Sequence, residues 1–109
     1  MIKICVDACG LVRSCRVVGH AGAGAPGGDI VCAAVSVLVR TFVRVVSQQA
    51  GITAQFSAPT RGEFEFSADY TGEGEIFLRC AGQFLLEGFK SLAEEYPQCC
   101  VLKIISRKD

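Results

Sequence analysis

The sequence predicts an α+β fold: one domain over residues 1–109, in the order β-β-α-β-β-α-β, with two helices packed on a mixed or antiparallel sheet. Two long segments, residues 30–50 and 75–96, repeat their apolar residues at helical spacing. Five shorter segments carry strand-like patterns and are bounded by glycine, proline or polar clusters. The 109 residues are half hydrophobic, which suits one core and is too short for two domains.

Residues 2–8 alternate, with Ile2, Ile4 and Val6 on one side, and Gly10 turns the chain into a return strand over 11–18. A loop from His20 to Gly28 follows. Asp29 is the expected N-cap of the first helix and Gly51 suits the position after its end. One face of that helix carries Val31, Val35, Leu38, Phe42 and Val45, and a narrow polar stripe carries Ser36, Arg40, Arg44 and Gln48. Val37, Val39, Val43 and Val46 make the rest apolar as well, so a second packing partner, either the other helix or a dimer mate, is expected. Residues 52–57 read as a strand. The alternation of Glu63, Phe64, Glu65 and Phe66 within 63–68 reads as a half-exposed one. The second helix should bury Phe77, Ala81, Phe84, Leu85, Phe89 and Leu92 and end at Pro97. Residues 99–106 complete the sheet.

Eleven basic residues balance eleven acidic ones, without a basic stripe, so direct binding to nucleic acid is not indicated. Residues 30–39 are apolar, but Arg40 and Arg44 follow too soon for a membrane span, and no membrane partner is expected. The start "MIKICVDACG" reads as a strand rather than a secretory signal, which places the protein in the cytoplasm. Seven cysteines, an odd number, argue against a disulfide framework there. Cys5, Cys9, Cys15, Cys80, Cys99 and Cys100 read as small buried hydrophobes. A zinc site built on Cys99 and Cys100 is the weaker reading; no metal and no cofactor is expected.

Chemistry concentrates in "GHAGAGAPGGDIVCAAVS", residues 19–36. With Asp29 as cap, Cys32 is the third helical residue, near N–H groups that lack intrahelical acceptors. A thiol at the positive end of a helix loses its proton more readily, and the thiolate is the reactive form. His20, the only histidine, is able to take that proton and return it to a leaving amine. Gly22, Gly24, Gly27 and Gly28 give the intervening loop the freedom to admit a substrate. Asp29 serves either as the cap or as the group that orients His20. Ser36, one turn beyond Cys32, either hydrogen-bonds in the site or faces water. A phosphate cradle is the rival reading, but the loop lacks the lysine and hydroxyl of a P-loop and ends in a carboxylate.

The run Gly19-His20-Ala21, a glycine-rich loop, then Asp29-Ile30-Val31-Cys32-Ala33 and Ser36 resembles the ribosomal-processing cysteine protease family, Prp. The twelve-residue interval from His20 to Cys32 fits that pattern too. The resemblance implies a homodimeric endopeptidase that removes the N-terminal extension of a large-subunit ribosomal protein, the twenty-seventh. It makes Cys32 the nucleophile and His20 the general base, puts Asp29 and Ser36 in the same site, and makes residues 21–28 a mobile loop beside the cysteine. Two other readings of the chain stand beside it: a ribosome-associated binding module without catalysis, and a redox-sensing thiol protein.

Overall fold

A computed structural model describes residues 1–8, 10–19, 27–59 and 62–106. Its elements are β1 (Ile2–Ala8), β2 (Val12–Val18), α1 (Gly28–Ser47), β3 (Ile52–Ser57), β4 (Glu63–Tyr70), α2 (Gly74–Glu95) and β5 (Cys100–Ile105). The sheet order is β3-β4-β2-β1-β5. All neighbours are antiparallel except β1 and β5, which run parallel, so the sheet is mixed. Each helix therefore crosses over between parallel strands, α1 from β2 to β3 and α2 from β4 to β5. This is the expected α+β architecture.

The alternation seen at residues 63–66 runs on through β4. Phe66 and Ala68 are buried, whereas Glu65, Ser67 and Asp69 face water. One face of the sheet is thus polar, and the other carries both helices. The core joins Ile2, Ile4, Val6, Val12 and Val17 to the buried helix residues. Phe42 of α1 meets Phe66 with ring centroids 5.0 Å apart. Burial of side chains of this size contributes roughly 1.5–3 kcal/mol each.

The helix faces are rotated from the expected ones by less than a quarter turn. α1 buries Val31, Val35, Val39, Phe42 and Val46, and Val45 is exposed. α2 buries Leu78, Gly82, Leu85 and Phe89, and Phe84 turns outward. The reason is Gly82, which apolar periodicity overlooks. A Cβ there would lie 3.0 Å from Val12 Cγ2, so the helix approaches β2 on its glycine side. α1 is also 20 residues long and apolar enough, by length and composition, to cross a membrane. Arg40 and Arg44 do not by themselves set a span aside, but five side chains of this helix belong to the core.

The cysteines separate into classes. Cys15, Cys99 and Cys100 are buried as expected, Cys5 is half-buried, and Cys80 is exposed on α2. Cys9 lies outside the described residues. Burial, reinforced by nearby Cys5, pushes the Cys15 thiol from 9.0 to about 12. Burial, then Cys99, pushes Cys100 upward too. A thiol that ionises later when folded stabilises fully below its unfolded value, and that stabilisation is lost as pH rises. Stability should therefore fall above pH 9.0, where the unfolded Cys15 thiol ionises and the buried one does not. Between 9.0 and about 12 the loss from this one group grows with each pH unit. Thermal melts should show a shallower alkaline decline in Cys15→Ala than in the parent, and equal declines would reject the assignment.

Candidate active site

Three chain ends converge at one edge of the molecule. β2 finishes at Val18, and Gly19 N–H donates to Gly62 O (3.1 Å) at the start of β4. The Gly19 backbone, at φ +107°, also packs against Met1 O ahead of β1. The chain then leaves the described residues, which exclude His20, Gly22 and Gly24. It returns at Gly27, against the ring of Tyr96 where α2 ends. A Cβ on Gly27 would lie 2.5 Å from Tyr96 Cε1, and its φ is +82°. Both observations require glycine there.

Gly27 is the cap residue of α1, in left-handed conformation and without a side-chain hydrogen bond. The first helical hydrogen bond runs from Val31 N–H to Gly27 O (3.0 Å). The expected Asp29 cap is thus corrected. The helix starts two residues earlier, because Gly27 fits against Tyr96 where a side chain would not. Asp29 is an exposed first-turn residue, its carboxylate at the positive end of the helix dipole. Cys32 becomes the fifth helical residue rather than the third. Side chains in a helix lean toward its N-terminus, so Cys32 still projects over the turn whose Gly28, Asp29 and Ile30 N–H groups lack intrahelical acceptors. Cys32 is half-buried, with part of its surface packed on the core.

Ser36 stands one turn along and is half-buried as well. Its Oγ accepts a hydrogen bond from Arg40 Nε (3.3 Å), so it does more than face water. The Arg40 guanidinium lies 5.5 Å from the Phe56 ring centroid and 5.4 Å from that of Phe64. Cys32, Ser36 and Arg40 thus form one line along α1. Sequence reasoning missed Arg40 and Tyr96 as site residues. The four-residue step from Ser36 marks Arg40, and only the fold marks Tyr96. Among the described residues no cluster of three or more His, Cys, Asp or Glu side chains is arranged to hold a metal ion.

The sequence matches the family model described as cysteine protease Prp over residues 1–101. The protein SMU.848 from Streptococcus mutans is 29% identical, with a TM-score of 0.81 over 98% of this chain and 96% of that one. The essential ribosomal processing protease Prp from S. aureus, bound to a covalently linked product peptide, is 24% identical with a TM-score of 0.79. That match covers 96% of this chain and all of the other. The same protease with a substrate peptide matches at 21% identity and the same TM-score of 0.79. At these two identities the likeness speaks for the fold. No curated protein matches the chain.

Proposed function

The chain belongs to the cysteine protease Prp family, and from that premise we propose that Cys32 and His20 carry out peptide-bond hydrolysis on a ribosomal protein. The observation that supports this most is the setting of Cys32: half-buried, over the open N–H groups of α1, at the edge where the chain leads from Gly19 into His20. His20 takes the thiol proton, and the thiolate attacks the scissile carbonyl carbon. The oxyanion is stabilised by first-turn N–H groups, Gly28 to Ile30, rather than by the amide of Cys32 itself. The imidazolium gives its proton to the leaving amine, and an acyl thioester remains on Cys32. His20 then deprotonates a water, which releases the acid and restores the thiol. Gly22 and Gly24 belong to the loop that admits the peptide, whereas Gly27 caps α1 and Gly28 is its first residue, so the expected loop is shorter by these two. Asp29, no longer a cap, orients the imidazolium.

The substrate is the N-terminal extension of a large-subunit ribosomal protein, the twenty-seventh, cut in the cytoplasm during assembly. Likeness to the S. aureus ribosomal processing protease, in its substrate-peptide and product-peptide complexes, supports a ribosomal substrate. The test is mass spectrometry of that ribosomal protein after incubation with the enzyme. A shortened N-terminus is expected, and an intact one favours the binding-module reading. A reversible disulfide on Cys32 under mild peroxide, with no cleavage, favours the redox reading.

The active form is a homodimer. Val37 and Phe84 are 63% and 77% exposed and flank an apolar groove of about 370 Å³ between α1 and α2. A second copy covers this seam. Phe84→Glu should move the sedimenting species from dimer to monomer at micromolar concentration. A parent that already sediments as a monomer would refute the assignment.

A further inference from the structure

We propose that Tyr96 is a positioning residue for Cys32, acting through the start of α1; this rests on the catalytic reading above. The backbone around Tyr96 makes it a fixed seat. Its N–H donates to Leu92 O (2.8 Å), which closes the last turn of α2. Its carbonyl accepts from the N–H groups of Cys99 (2.9 Å) and Cys100 (3.1 Å). Pro97 occupies the second position of that tight turn, where its pyrrolidine sets φ. Cys99 and Cys100 are buried, and the Tyr96 side chain packs on the core. An aromatic ring on such a corner has little freedom to move.

The edge of that ring meets Gly27. A Cβ on Gly27 would lie 2.5 Å from Cε1 and 2.7 Å from Cδ1, so the glycine backbone rests on the ring. Gly27 O accepts the first hydrogen bond of α1, from Val31 N–H (3.0 Å), and Cys32 is the next residue. No side chain caps this helix, so its start depends on the Gly27 backbone and on the surface behind it. Contact passes from the ring to the cap, from the cap to Val31, and along the chain to Cys32. The same corner supports the end of β2. Cys99 O accepts from Ile2 N–H (2.8 Å), and Met1 O packs against Gly19, the residue before His20. Tyr96 touches no reacting atom; it fixes where the helix that carries the nucleophile begins.

The test compares Tyr96→Leu, which keeps an apolar group on the core, with Tyr96→Phe, which keeps the ring. The first readout needs no substrate. It is amide hydrogen exchange of the full-length chain, followed by NMR. In Tyr96→Leu the Val31 and Cys32 N–H groups should exchange about ten-fold faster, with mid-helix Val39 at the parent rate. Tyr96→Phe should match the parent at all three. In peptide cleavage Tyr96→Leu should lose about ten-fold in kcat with KM within about two-fold, and Tyr96→Phe should recover the rate. Gly27→Ala breaks the same contact from the other side, so adding Tyr96→Leu to it should slow cleavage no further. Thermal melts confirm that each variant is folded. Parent exchange at Val31 in Tyr96→Leu, or acceleration shared equally by Val39, would overturn the proposal. So would equal losses in the leucine and phenylalanine variants, or losses that multiply in the double variant. If the parent cuts no peptide, the catalytic reading fails, while the exchange rates still decide whether Tyr96 holds the start of α1.

Discussion

Cys32→Ala leaves the substrate peptide uncut: kcat/KM should fall by at least about 10⁴-fold, and Cys32→Ser should be little better. The thioester needs a sulfur at this position, and no other cysteine in the described residues is placed to replace it. Cys15, Cys99 and Cys100 are buried in the core. Cys5 alternates onto the polar face of the sheet, where it pairs with Arg16 and Lys103, away from the start of α1. Cys80 is exposed on α2, past the first-turn N–H groups of that helix. Cys80→Ala should therefore cut at the parent rate. Initial velocities of peptide cleavage measure both, and full activity in Cys32→Ala would remove Cys32 as nucleophile.

His20→Ala should lose about 10³-fold in kcat. In the proposed mechanism the imidazole moves a proton off the thiol, onto the leaving amine and off the attacking water, so no single general base in solution replaces it. A variant with the parent rate would reject His20 as the base. The two losses should be far from additive, since a thiolate and its imidazolium act as one unit.

Both residues are candidates named from the chain, with Cys32 placed half-buried near the start of α1 and His20 outside the described residues, whereas the fold was legible to a degree that differs by element. The strands were readable because one face of the sheet meets water, so Glu63 and Glu65 alternate with Phe64 and Phe66. The helices were readable in extent but not in rotation. α1 is apolar on nearly every side, and the choice between Val45 and Val46 is made by where α2 and the sheet lie. On α2 the core line runs through Gly82, a residue with no hydrophobic signal of its own. The cap was misplaced because capping preferences favour Asp29 locally. The fit of Gly27 against Tyr96, a residue 69 positions away, overrides them. The polar stripe from Ser36 to Arg40 was visible in the spacing, but the aromatic pair that holds Arg40 comes from two other strands.

Acylation of Cys32 by the substrate peptide is tested most directly by trapping that intermediate. Enzyme and peptide are mixed, quenched in acid within milliseconds to seconds, digested and mapped by mass spectrometry. The expected result is an acyl adduct with the mass of the N-terminal product, confined to the fragment that contains Cys32 and absent from Cys32→Ala. Cleavage that proceeds with the adduct on another of the seven cysteines, or with Cys32→Ala still turning over, would contradict it.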